Sequence, residues 1–390
     1  MAANGQRPVL KTPQDFAKLR VLLDKFKNSG RDGIEEKIRA FDHLNAEAHA
    51  AEVVAFGERA LLPLLRHLMD GSANVKCYCI KCIAELKRSG KLADGFAAPF
   101  LSAMFLEDNG EVRDMATSAL LKFGEDALPA ALRALFSKNE SARICAARVL
   151  SDLKRREVAG PLARAYGLEK NVYAKLEMAT AIAGLEGKSA EQVEAELPGR
   201  LDALKQFDNK VKNLLEEIRT GDNGVAATAV RALAALGLDA LIPIVWWGFG
   251  SESERVRAGA VVALAEMKSE LALPFIAAKL ADESEAVRRC ACRALERFGG
   301  KALPWLLLMA EDGGAAAHAR VLALNLIGRL GDNRMLEPLA GFLERDEPAE
   351  VRNAASDAVL AITNRAREAA RERFIELAKD FFANGSESSK

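Results

Sequence analysis

The sequence predicts an all-α solenoid, a stack of helix pairs, and three observations predict it. First, basic residues that follow a small or branched apolar residue recur at near-constant spacing. Lys76, Arg113, Arg143, Lys175, Ala226, Arg257, Arg288, Arg320 and Arg352 stand at equivalent positions, 37, 30, 32, 51, 31, 31, 32 and 32 residues apart. A period near 31 with helical patterning inside each unit is the signature of stacked helix pairs. Second, apolar residues recur at fixed offsets after each of these positions. Third, prolines punctuate the same point of successive units.

The offsets define the first helix of each pair. Positions +3, +6, +7 and +10 give Cys79, Cys82, Ile83 and Leu86 in one unit and Ala116, Ala119, Leu120 and Phe123 in the next. Further on they give Ala291, Ala294, Leu295 and Phe298, then Ala355, Ala358, Val359 and Ile362. Spacings of three and four put these residues on one helical face. Gly124, Gly299 and Gly331 follow, suiting a left-handed helix stop. The second helix then opens near Pro129, Pro161, Pro243, Pro274, Pro304 or Pro338, where a missing N–H does no harm. Ser137, Ser251, Asp282, Asp312 and Asp346, eight residues later, are expected to end that helix or cap the next.

Composition fits this class. Aromatics are only 6% of the 390 residues against 50% apolar, so the core is built from Ala, Leu, Val and Ile. Lys plus Arg equals Asp plus Glu at 55 each, which leaves no global pull toward nucleic acid or acidic lipid. The polar start, Met1 to Pro13, has no apolar signal region, and the run Ala240 to Phe249 is half of a membrane span. Six cysteines without an export signal read as reduced thiols, and a cytoplasmic location is expected. The alanine-rich composition hints at a bacterial source.

The arrangement resembles the HEAT repeat, in particular the short bacterial form called the phycobilisome-lyase HEAT-like repeat. The likeness covers about residues 33–365 and implies about ten repeats. It also implies an Asp–Arg ladder between stacked repeats. Asp70 and Lys76, Asp282 and Arg288, and Asp346 and Arg352 are the candidates, each six apart. Ser137, Ser251 and Gly314, which replace Asp, and Ala226, which replaces Arg, depart from the pattern. What such a protein does is present a surface. The family-level expectation is a non-catalytic scaffold or adaptor for protein partners, spanning on the order of 100 Å if helices stack ~8–10 Å apart, and binding along an inner ridge.

The interval of 51 marks one irregularity. Residues 188–221 open with a capping box (Ser189, Gln192), then Pro198, then Leu201, Leu204, Val211, Leu214, Leu215 and Ile218 at helical spacing. This predicts an elongated helical insertion that divides repeats 33–187 from repeats 222–365, with a bend there. Residues 1–32 hold a capping helix beginning at Thr12-Pro13, and 366–390 hold a terminal helix and a disordered tail. The charged cluster Arg365, Arg367, Arg371 and Arg373 interleaves with Glu368, Glu372 and Glu376, and reads as a self-paired solvated face.

Candidate chemistry is sparse. Cys77, Cys79 and Cys82 sit where other units carry small residues, and Cys145 and Cys290 share one core position, so cysteine acts here as a small hydrophobe. His43, His49, His67 and His318 form no His-Glu pair of the kind iron-binding HEAT-like hydroxylases carry. No nucleotide loop, metal motif or nucleophile elbow is present. No catalytic residue, metal or cofactor is expected. Nucleic acid is the weaker partner class. The ridge at offsets +5 and +9 carries seven basic residues and four acidic ones, with Arg148, Arg231 and Arg293 the residues that would contact phosphate. A lyase- or chaperone-type subunit acting on a protein is the other alternative. Trp246 and Trp247 are the sharpest local feature. Adjacent helical residues point about 100° apart, and Trp247 aligns with Arg133, Ala278, Leu308 and Phe342. Both tryptophans either fill the gap beside the insertion or anchor a partner.

Overall fold

The computed structural model describes residues 33–42, 45–92 and 94–385, excluding side chains from 370 onward. The expected capping helix, His43 and the tail after Gly385 lie outside the described residues. Helices α1 (Ile34–Arg39) and α2 (Ala46–Ala55) precede a regular alternation. Second and first helices then follow as α3 (Leu61–Asp70), α4 (Ala73–Arg88), α5 (Ala98–Ala103), α6 (Gly110–Leu120), α7 (Leu128–Leu135), α8 (Glu140–Asp152), α9 (Ala159–Leu168) and α10 (Val172–Glu186). One long helix, α11 (Ala190–Thr220), comes next, then α12 (Asn223–Ala235) and α13 (Leu241–Pro243), which runs on through a π-helical turn, Ile244–Gly248. The series closes with α14 (Glu254–Glu266), α15 (Leu273–Ala278), α16 (Glu285–Phe298), α17 (Leu303–Glu311), α18 (Ala317–Leu330), α19 (Leu336–Glu344) and α20 (Ala349–Gly385).

The first helices bury the face their spacing marks. Cys79, Cys82, Ile83 and Leu86 are buried, as are Ala116, Ala119, Leu120, Phe123, Ala355, Ala358, Val359 and Ile362. Their N-termini are capped by side chains: Ser72 accepts from Val75, Asn139 from Ala142, and Asn171 from Ala174. The polar residues expected to cap lie two positions earlier. Ser137, Ser251 and Asp282 instead accept the N–H two residues on, tightening the loop ahead of Asn139, Ser253 and Ser284. Gly124 and Gly299 take positive φ, but Gly331 is extended (φ −75°). Its place is fixed by packing, because a Cβ there would come 2.6 Å from the Ile327 carbonyl oxygen.

The solenoid class holds, and the linear single file does not. Helices α3, α5 and α7 pack against α19, α17 and α15 respectively, so the chain doubles back and the second helices of two arms meet. The expected 100 Å span and open inner ridge are thereby overturned. The second helices are inside, and the ridge at offsets +5 and +9 faces outward. Leu62, Leu65, Phe100, Leu307 and Pro338 line the seam. Across it the Arg133 guanidinium lies over the Trp305 ring at 5.8 Å, and Phe136 meets Trp246 edge to face at 5.2 Å. At the free ends Arg334 reaches Glu58 (3.1 Å) and Asp94 (3.5 Å).

The reversal happens at α11. Its Ser189–Gln192 capping box is formed, and the helix runs unbroken past Pro198. Its first half packs on α9 and α10, its second half on α12, α14 and the π turn. Buried Arg164 of α9 holds Asp208 of α11 at 2.9 Å.

Candidate functional site

The repeat ladder is present as geometry, with pairings one repeat longer than the six-residue spacing suggested. Arg288 donates from Nη1 to the main-chain oxygens of Asp282 (2.8 Å) and Glu283 (2.7 Å). The Asp282 carboxylate belongs to Arg257 of the preceding repeat, through Nε at 3.0 Å and Nη2 at 3.1 Å. Arg257 Nη1 in turn bonds the carbonyls of Ser251 and Glu252. Arg257 and Arg143 thus tie their own loops to the acid of the next repeat, whereas Arg288 and Arg113 hold their own loop carbonyls. Lys76 pairs with Glu107 at 2.9 Å, Arg143 with Glu169, and Arg320 with Glu347 at 2.7 Å. Glu347, next to Asp346, takes the rung; Asp70 lies near Arg345 of the opposite arm. Burial alone would raise the Asp282 carboxyl, but Arg257, the Ser284 N–H and Lys279 outweigh it and hold it below its usual range.

The outward ridge neutralises itself. Arg148 bonds Glu177 at 2.7 Å and lies 4.0 Å from Asp114. Arg231 donates to the Thr228 hydroxyl at 3.2 Å, and Arg293 is exposed beside Arg297, which pairs with Glu266 at 2.7 Å. Lys81 pairs with Glu47 and Arg329 with Glu296. Repeat-to-repeat pairing at Lys81, Arg148, Arg297 and Arg329 offsets part of the positive charge that a phosphate backbone would use. Arg365 departs from the self-paired face expected of it: it donates to the carbonyls of Gly328 and Gly331, both at 2.6 Å, at the end of α18. The cysteines are all free, and burial pushes the Cys82 thiol up to about 12.

The tryptophans divide. Trp246 turns into the seam against Phe136. Trp247 is 43% exposed, with Lys212 Nζ of α11 3.7 Å from its ring centroid. The π turn that carries them rotates successive residues out of α-helical register, a feature frequent at functional sites.

One surface feature was not predicted. Elsewhere the apolar residue just before the repeat's basic position is buried: Val75, Val112, Ala142, Ala174, Val256, Val287, Ala319 and Val351. Val225, its equivalent on α12, is 43% exposed. On the other side of α11, Leu168 at the end of α9 and Val172, Tyr173 and Leu176 at the start of α10 are all exposed, Val172 at 76% and Tyr173 at 75%. Val225 is exposed where its equivalents are covered, whereas Gly110, Glu111 and Asp114, the equivalents of Val172, Tyr173 and Leu176 on α6, are exposed too, so the unusual feature of α10 is the apolar character of these exposed positions. The signal was in the sequence: Val172, Tyr173 and Leu176 stand where α6 has Gly110, Glu111 and Asp114.

Among the described residues no single helix is long and apolar enough to cross a membrane. Residues 211–289 and 273–360 match the family model for HEAT repeats. No curated protein matches the chain. Solved structures similar to it include an engineered protein (16% identity, 85% of this chain and 98% of that one, TM-score 0.27). Importin beta in an ammonium sulfate condition is another (15% identity, 85% and 50%, TM-score 0.32). A third is a chain from a study of tubulin recruitment by microtubule polymerases with TOG domain arrays (11% identity, 76% and 90%, TM-score 0.27). The chain is an all-α solenoid, and its residues 211–360 match the model for HEAT repeats.

Proposed function

We propose that the chain is a non-catalytic scaffold or adaptor that binds a protein partner at the reversal, where both stacks end. The observation that supports it is the apolar edge at the end of α9 and the start of α10, with Leu168, Val172, Tyr173 and Leu176 exposed together. A contiguous apolar patch on an otherwise charge-paired surface is the usual mark of an interaction site. The seam between the arms is filled by side chains, so the reading does not use an inner groove. The short bacterial repeat type and a cytoplasmic setting belong to the same reading, supported by the 31–32-residue spacing of the C-terminal arm.

The test is recovery from the native host by the full chain and by a Tyr173→Asp/Leu176→Asp variant. Proteins held by the first and lost by the second, at unchanged melting temperature, are expected. Equal recovery by both chains sinks the reading. Visible absorbance from a bound chromophore in the purified chain would move the assignment to the lyase-type alternative.

A further inference from the structure

We infer that the open edge of α10 receives an amphipathic helix from a partner protein, with carboxylates along one flank. This rests on the reading just given and specifies the partner's chemistry. Helix α8 packs on both α6 and α10, whereas α10 packs on α8, α9 and α11. No further first helix of this arm follows α10, and the next helix in the chain, α11, packs on both α9 and α10. Val172 and Leu176 are four apart, and Tyr173 and Leu176 three apart, so they form one stripe. That stripe looks toward the missing repeat. Asp114, the equivalent of Leu176 on α6, reaches forward to Arg148 of the following helix at 4.0 Å. An occupant that repeats the solenoid's own packing is therefore a helix with anchors at i, i+3, i+4 and i+7.

Charge selects the flank. In the loop before each first helix, the residue after the rung position is acidic at Asp108, Glu252, Glu283 and Glu347 and neutral at Gly71, Gly221 and Ala315. In the last two loops before the reversal it is Lys138 and Lys170, both exposed. The nearby carboxylate cannot neutralise them, because Glu169 is buried and bonded to Arg143. Lys175 adds a third positive charge, its Nζ 5.2 Å from the Tyr166 ring centroid. The rim is thus basic only here, beside the only exposed apolar stripe on a first helix among the described residues.

A second copy of the chain fits less well. An isologous contact would set the same basic rim against itself. Four side chains within nine residues also fall well short of the roughly 800 Å² per partner that a stable dimer buries.

The experiment uses the full chain and two labelled peptides with one leucine stripe, flanked by Glu in one and by Lys in the other. Fluorescence anisotropy is expected to show the Glu peptide binding about tenfold more tightly or better. Leu176→Asp should lower that affinity about tenfold or more without changing the melt, Leu176→Ala less so. Lys138→Glu with Lys170→Glu should reverse the peptide preference. Equal affinities, no binding of either peptide, or binding indifferent to Leu176→Asp overturns the inference. So does a concentration-dependent dimer by light scattering that Leu176→Asp dissolves, which makes the occupant a second copy. If the peptides fail while host proteins are still lost by the Tyr173→Asp/Leu176→Asp chain, the scaffold reading survives and the helix does not.

Discussion

The C-terminal arm and the N-terminal arm stack the same helix pairs, yet they are bolted together differently. In the C-terminal arm Arg257 forks to both oxygens of Asp282, to Glu283 and to two carbonyls of its own loop, with Arg257 and Asp282 both buried. In the N-terminal arm Lys76 makes a single ion pair with Glu107, itself about a third exposed. A planar guanidinium presents five donors in a fixed fork, enough for both carboxylate oxygens and two loop carbonyls, where an ammonium has three. Spacing alone does not account for this difference: the intervals are 31, 31, 32 and 32 in the C-terminal arm and 37, 30 and 32 in the N-terminal arm, yet Ala226 and Gly314 interrupt the C-terminal ladder. The match to HEAT repeats covers 211–360 and stops there.

The largest expected effect breaks the better rung. Arg257→Ala leaves a buried Asp282 without its guanidinium and should cost about 3–5 kcal/mol, read by urea unfolding. Lys76→Ala should cost about 1 kcal/mol or less. Equal losses in the two variants would remove the contrast between the arms.

The next effect is on the one N-terminal rung built like its C-terminal counterparts. Arg143 bonds both oxygens of Glu169, and with the N–H groups of Asn171 and Lys170 it overrides burial, lowering the carboxyl from 4.5 to about 2. A depressed folded value means the stabilisation is full above about pH 4.5 and lost as pH falls toward 2. The amount is about 3 kcal/mol at most. Glu169→Gln should flatten that part of the stability–pH curve, as followed by helicity in denaturant between pH 5 and 2. An unchanged acid slope would show that Glu169 does not carry it.

Much of this architecture is legible in the sequence, and the unread part has identifiable causes. The offsets around Arg113 or Arg288 name the buried face because helical period and burial are local properties. Partner choice along the rung is not local. Asp282 is six residues from Arg288 and 25 from Arg257, and only stacking decides that the carboxylate goes to the second. The fold-back left a trace that is visible once known. Leu303–Glu311 reads LPWLLLMAE, apolar nearly all round. A helix of that kind is buried on more than one side, which a single file with an open groove does not provide. The exposed edge at Val172, Tyr173 and Leu176 is overlooked for a different reason: apolar residues on a helix read as core unless their offsets are compared with Gly110, Glu111 and Asp114, which the repeat leaves exposed.

A smaller effect concerns the seam that joins the arms. Arg334 bridges Glu58 and Asp94 from across the opening, with all three side chains about half exposed. Arg334→Glu turns two attractions into repulsions, worth about 1 kcal/mol in a solvated setting. It should widen the free end while leaving the reversal intact. Small-angle scattering is expected to give a larger radius of gyration for this variant, with the difference growing at low salt. An identical profile at every ionic strength would show that the apolar seam alone holds the arms.

The smallest effect separates the two tryptophans. Trp246 is packed edge-on against Phe136 of the other arm, so its loss opens a hole in the seam, whereas Trp247 is nearly half exposed and meets chiefly Lys212. A cation over an exposed ring is worth about 0.5–1 kcal/mol. Trp247→Ala should therefore lower stability by about 1 kcal/mol, and Trp246→Ala by clearly more, in the same urea titration. The pair also tests how the arms are joined. If Trp247→Ala proves the costlier, the π turn is anchored on α11 and not on the opposite arm, and the reversal depends on the long helix rather than on the seam.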